Sequence, residues 1–268
     1  MAEAYTARFP PLECPFWSWK LDPFQTADSV PDITVSYCPG KVKSVGTSVW
    51  RDDAAGRQMY LQDDGTLLWQ QTEPEQTKLL LQFGISQDWS RITLLADNSA
   101  TVGMAAFESL TFLIYYAFLH RQVLTFHGAV VEADGKCFLL CADSGVGKTT
   151  HARLWRDHKN ALILNGDRAA CYQQGNRWFA FGTPWCGTSG EYLNRSAAVQ
   201  AVVILERGKE NRVSMTNGMS LLPYVEYFCT ILFYNTRISG EGHCTIFLGA
   251  PDSSSKPHSK EPFHIYSP

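Results

Sequence analysis

Eight cysteines occur without one C-x-x-C pair, at positions 14, 38, 137, 141, 171, 186, 229 and 244. That spacing provides neither a zinc framework nor a redox dithiol. Cys137 and Cys141 lie inside the apolar run KCFLLCA, so the cysteines read as buried thiols of a reducing compartment. An excess of one charge is missing too. A net charge of -3 over 268 residues gives no electrostatic case for nucleic acid or an anionic membrane surface. No apolar run reaches the roughly 18 residues of a membrane span. The longest candidate, FESLTFLIYYAFLH, carries Glu108 and His120. The segment MAEAYTARFPPLECPFW lacks the charged-then-apolar order of a signal peptide. These absences predict a cytoplasmic protein with no nucleic-acid and no membrane partner. They leave the oligomeric state open, a homo-oligomer included.

What is present is a globular composition, 45% hydrophobic and 18% charged, long enough for one large domain or two small ones. Residues 1–30 are rich in proline and aromatics and without period. From there to about residue 95, ITVSY, RQMYLQ, TLLWQQ, KLLLQF and SRITLLA read as short strands, with the hairpin signal DDG at 63–65. MAAFESLTFLIYYAFLHRQ (104–122) reads as a helix buried on most sides, its Tyr and Phe stripe being core. Beyond it, VLTFHGAVV and KCFLLCA are strands joined by the turn EADG. THARLW lies in a helix, ALILN is a strand, and AACYQ and RWFAF form a hairpin. QAVVILE is a further strand, and SLLPYVEYFCTILFY (220–234) is a helix with Pro223 in its first turn. The polar Ser/Pro-rich residues from 249 onward read as a loosely held tail. The expected domains are 1–102, mainly β; 103–248, carrying the chemistry; and the tail 249–268.

The chemistry centres on CADSGVGKTT. The phosphate-binding pattern G-x-x-x-x-G-K-[ST] is complete except that Ala142 replaces its first glycine. An alanine there costs little where φ is negative, because only positive φ penalises a Cβ. Asp143, Ser144, Gly145, Val146, Gly147, Lys148, Thr149 and Thr150 would supply the nucleotide cradle. In it, backbone N–H groups and a helix N-terminus face the phosphates. Lys148 would reach the β and γ phosphates and Thr149 a Mg²⁺ ion. The strand entering this loop follows another strand after a four-residue turn. That is an antiparallel hairpin rather than the entry of a doubly wound sheet. It brings His127 toward the loop, as a metal or γ-phosphate contact or as a core histidine. Asp167 ends the apolar stretch ALILNGD (161–167), where a carboxylate can hold Mg²⁺ or accept a hydroxyl proton, unless it is only a turn residue after Gly166. FGTPWCGTSG (181–190) is a shaped loop in which Trp185 offers a rigid surface and Gly187 a bend, suited to covering nucleotide or contacting an acceptor. His151 and Arg153 fall in the first turns after the loop, where Leu154 and Trp155 would pack inward.

FHGAVV, FLLCADSGVGKTT, LILNGD and FGTPWCG, in that order, resemble the catalytic domain of the HPr kinase/phosphorylase family, and more distantly the P-loop phosphoenolpyruvate carboxykinases. The likeness covers about residues 123–206. It implies an α/β (α+β) fold: a P-loop kinase domain with a mixed sheet, beside a small, mainly antiparallel β domain. It also implies a kinase that uses ATP and Mg²⁺ to phosphorylate a hydroxyl, often Ser, of a peptide, protein or small molecule. Relatives of this shape include peptide-tailoring kinases. On the resemblance, Lys148, His127 and Asp167 are catalytic, Thr149 and Asp167 hold metal, and Arg195, Trp185 and Gly187 meet the acceptor. One departure stands out. The family has two adjacent Asp residues, and Gly166 takes the place of the first. This motivates the alternative of a nucleotide-binding regulator with little or no catalysis. A carboxykinase-like enzyme is a third reading, for which no set of basic residues is evident.

Overall fold

The computed structural model describes residues 6–8, 20–25, 30–43, 46–73, 78–96, 103–208, 213 and 264–266. The strands are β1 (Thr6–Arg8), β2 (Ile33–Pro39), β3 (Thr47–Asp52), β4 (Arg57–Leu61), β5 (Leu67–Thr72), β6 (Leu79–Ile85) and β7 (Arg91–Ala96). They continue as β8 (Val123–Ala133), β9 (Lys136–Cys141), β10 (Leu162–Asn165), β11 (Arg168–Gln174), β12 (Arg177–Phe181), β13 (Ser196–Ile204) and β14 (His264–Tyr266). Two α-helices are described, α1 (Met104–Leu119) and α2 (Lys148–Lys159). The content is α+β, mostly strand, in two mixed sheets. The expected helix at 220–234 and the tail from 249 lie almost entirely outside the described residues.

The chain divides into two compact units, Tyr5–His120 with His264–Pro268, and Arg121–Phe263 with Met1–Ala4. In the first, the strand order is β14-β1-β2-β7-β6-β5-β4-β3. The five strands read from the sequence are all present, and β3 joins them. The DDG signal closes the β4–β5 hairpin: Gly65 N–H donates to Gln62 O at 3.0 Å, and Thr66 N–H to Asp64 Oδ1 at 2.9 Å. The sheet is antiparallel from β7 to β3, whereas β14, β1, β2 and β7 pair in parallel.

Helix α1 belongs with this unit, so the division falls between His120 and Arg121, in contrast to the sequence-based boundary at 102/103. The apolar helix is buried as its composition predicts, with Phe107, Leu110, Leu113, Ile114 and Phe118 fully covered. What the pattern does not reveal is which surface covers it. Trp89 stacks on Tyr116 at 5.3 Å and on His120 at 5.5 Å, the Arg57 guanidinium lies 4.9 Å from the Phe112 ring centroid, and Ser109 Oγ donates to Gln71.

In the second unit the pairings close into a ring, β8–β11–β12–β13–β9–β8, with only β13–β9 parallel. Each strand contributes to one shared core, including Phe126, Val130, Leu139, Cys141, Cys171 and Ala180. On the opposite face of β8 and β9, α2 covers Ala129, Val131 and Leu140 through Ala152 and Trp155. Trp155 meets Phe138 at 4.8 Å between ring centroids, while Leu154, expected inside, is exposed. His127 is two residues before Ala129, so period-two alternation puts it on the α2 side of β8. Strands β10 and β11 run as one interrupted antiparallel partner of β8. Leu162 opposes Glu132, Asn165 opposes Val130, and Arg168 opposes both His127 and Gly128. The interruption is a bulged stretch: the ladder shifts register between Ile163 and Asn165 and again at Arg168, with Gly166 and Asp167 between the two strands. Such irregularities bend a strand and re-aim its side chains.

Of the described cysteines, Cys137, Cys141, Cys171 and Cys186 are buried free thiols and Cys38 is exposed. Burial pushes the Cys137 and Cys141 thiols up to about 12. No described helix is long and apolar enough to cross a membrane.

Candidate functional site

The loop between β9 and α2 takes its shape from two glycines. Gly145 and Gly147 have φ of +78° and +121°, a region that L side chains rarely adopt. The described non-glycine residues with positive φ are Trp89, Gln122, Asp134 and Asn160. Ala142 is not among them, and its methyl is fully buried, so the missing first glycine imposes no backbone strain. Helix α2 then starts at Lys148 with Gly147 as N-cap, no side-chain cap and no acidic residue in its first turn. Its N-terminal N–H groups and positive dipole end are therefore not neutralised by the helix itself.

Lys148 bends back over this loop. Its Nζ donates to Ala142 O at 2.8 Å and to Asp143 O at 3.3 Å. Burial lowers its pKa, against the opposing pull of Asp167, Cys141 and Asp143. Asp143, Ser144 and Thr150 are exposed, and Val146 and Thr149 are partly so.

The bulge delivers Asp167 to the same rim. His127 Nε2 lies 3.3 Å from Asp167 Oδ1, and Arg168 Nε lies 3.4 Å from Oδ2. The hydrogen bond from His127 is the largest influence lowering the Asp167 pKa. Arg168, His127 and Lys148 add to it through their charge, and burial works against it. Asp167 is thus held as a carboxylate among cationic and hydrogen-bonding groups.

Asn165, which the sequence reading passed over, fixes this arrangement. Its side chain is fully buried. Its Oδ1 accepts the backbone N–H of Asp167 at 2.9 Å and of Arg168 at 2.7 Å. Its Nδ2 donates to Thr183 O, Thr183 Oγ1 and Trp185 O at 3.0, 3.2 and 3.1 Å. One amide thereby ties the bulge to the 183–189 loop. The only signal in the sequence was an Asn-Gly-Asp turn, which does not distinguish a hub from an ordinary bend.

Two close approaches explain the glycines on either side. A Cβ on Gly187 would lie 2.7 Å from Asp167 Cγ, so this position must stay bare for the short 3₁₀ turn Gly187–Ser189 to sit against the carboxylate. A Cβ on Gly166 would collide with the Ser189 side chain. Ser189 Oγ is itself committed, donating to Cys186 O at 2.6 Å. Position 166 is therefore closed to a second carboxylate by packing.

Two predicted acceptor residues are not brought to this rim. The Arg195 guanidinium forms a two-pronged pair with the buried Glu132, Nη2 donating to Oε1 at 2.7 Å and Nε to Oε2. Glu132 lies four residues along β8 from Gly128, whose N–H donates to Asp167 O, a separation of about 13 Å at the usual strand rise. Trp185 is 1% exposed and offers no open ring face. Gly187 does meet Asp167. On the flank of α2, Arg153 and Arg156 both pair with Glu191, at 3.3 and 2.7 Å, and His151 is exposed. Arg207, not singled out in the sequence, donates from Nη2 to Gly145 O at 2.9 Å.

Residues 92–220, just under half of the chain, match the family model described as "SynChlorMet cassette protein ScmC". No curated protein matches the chain. Among solved structures, the HPr(Ser) kinase/phosphatase from Coxiella burnetii aligns at 15% identity over 44% of this chain and 99% of its own, with a TM-score of 0.26. That score is too low to argue a shared fold, so the functional reading rests on the chain's own residues.

Proposed function

We propose that the second unit is a Mg-ATP-dependent phosphotransferase that moves the γ-phosphate to a hydroxyl, a Ser side chain being the favoured acceptor, on a peptide, protein or small molecule. The observation that carries this is the meeting, on one rim, of Lys148 and the His127–Asp167 pair beside a glycine-shaped loop at an uncapped helix N-terminus. Loop N–H groups from Asp143 to Thr150 cradle the phosphates, and Lys148 leaves the Ala142 and Asp143 carbonyls for them. Asp167 accepts the hydrogen bond of the incoming hydroxyl while His127 holds its Oδ1. Its lowered pKa makes it a weak base. Phosphoryl transfer passes through a loose transition state, in which placing the hydroxyl matters more than base strength.

Among the described residues no group of three His, Cys, Asp or Glu side chains is placed to hold a metal ion. One carboxylate and one hydroxyl nevertheless suit Mg²⁺, which takes its other ligands from phosphates and water. Asp167 and Thr149 would hold it, and it would neutralise charge on the phosphates. Preference for ATP over GTP follows from the family resemblance alone. The test is Asp167→Asn: nucleotide affinity should stay within a few-fold of wild type while transfer falls about 10²–10⁴-fold. An Asp167→Asn protein that transfers at full speed removes the assigned role.

A second reading has its own observation. With position 166 closed by Ser189, a single carboxylate serves the site, as in a nucleotide-binding regulator that does not turn over. Tight ATP binding without transfer to any acceptor would favour it.

A further inference from the structure

The basic groups around the loop differ in what holds them. Arg153 and Arg156 are neutralised by Glu191, Arg168 pairs with Asp167, and Arg195 is locked on Glu132. Arg207 is different. It is exposed, its hydrogen bond among the described residues goes to a backbone carbonyl, and no described carboxylate pairs with it. That carbonyl belongs to Gly145, midway along the loop. The chain reaches it from the end of β13, anchored where Leu205 N–H donates to Cys141 O at 2.8 Å, the last residue of β9 before the loop. Lys148 shows the same condition from inside, a cation resting on the carbonyls of Ala142 and Asp143.

We infer that Arg207 is a second phosphate-binding cation of this site, resting on Gly145 O and turning onto the phosphate chain of a nucleoside triphosphate when one binds. The inference rests on the phosphotransferase reading above. A carbonyl offers the guanidinium one acceptor atom that carries no formal charge. A phosphate adds formal negative charge and oxygens that take paired N–H bonds from the planar fork, so the exchange favours the anion. Only side-chain torsions need change, because Nη2 already touches the loop.

The test uses the full-length chain, with Arg207→Gln and Arg207→Lys. Affinities for Mg-ATP, inorganic tripolyphosphate and adenosine are measured together with ligand-free melting temperature. Arg207→Gln should bind ATP and tripolyphosphate about tenfold or more weakly. Arg207→Lys should recover part of that loss, adenosine binding should be unaffected, and the ligand-free melting temperature should not move. Wild-type tripolyphosphate affinity in Arg207→Gln overturns the inference. A lowered ligand-free melting temperature with unchanged affinity also overturns it, because Arg207 would then be only a clamp on the loop. If the wild type binds neither ATP nor tripolyphosphate, the phosphotransferase reading falls, and this inference with it.

Discussion

The hydrogen bond from His127 is the largest influence holding the Asp167 carboxyl below its ordinary range, and that has a measurable sign. The carboxyl's folded pKa lies below its ordinary value of about 3.9. The stability this supplies is fully present above that ordinary value and is lost as pH falls through the depressed one. His127→Ala removes the largest lowering influence, so the acid limb of the pH–activity profile should move to higher pH, with Arg168 and Lys148 retaining part of the depression. An unmoved acid limb would mean that His127 does not bear on the ionisation of Asp167. Position 166 carries a less intuitive expectation. Adding a second carboxylate beside Asp167 by Gly166→Asp should not raise activity. It should destabilise the protein by about 1–3 kcal/mol, because the new side chain meets Ser189. Ser189→Gly in the same chain should recover part of that loss. A stable, faster Gly166→Asp single variant would refute the packing explanation for the departure.

At the scale of elements, the interrupted strand β10–β11 links fold to site. Asn165→Ala would leave the Asp167 and Arg168 N–H groups and the Thr183 and Trp185 carbonyls without their buried partner. A loss on the order of 3 kcal/mol is expected in a denaturant titration, with transfer reduced more than nucleotide binding because the bulge, not the loop, is displaced. The hairpin β8–β9, the loop and helix α2 were legible in the sequence because alternation, turn residues and paired glycines act locally. The bulge was not, because a one-residue shift of register leaves no mark on a four-residue strand such as LILN. The surroundings of Arg195 and Trp185 were not legible either. Arg195 looks available until the buried Glu132, 63 residues away in sequence, is known, and Trp185 until its burial is. The buried helix α1 was evident from its composition. Its membership in the first unit depends on Trp89, Arg57 and Gln71, contacts that no local pattern encodes.

At the scale of the whole molecule, every group with a proposed chemical role lies in the second unit, between His127 and Arg207. The first unit supplies a mixed sheet and α1. The most direct measurement is therefore transfer itself. Purified full-length protein is incubated with Mg²⁺, γ-labelled ATP and an extract of its host cells, with Lys148→Ala alongside, and label is separated into protein, peptide and small-molecule fractions. The account predicts label in one of these fractions with the wild type and none with Lys148→Ala. Label that persists in Lys148→Ala, or a wild type that binds no ATP at all, would contradict it.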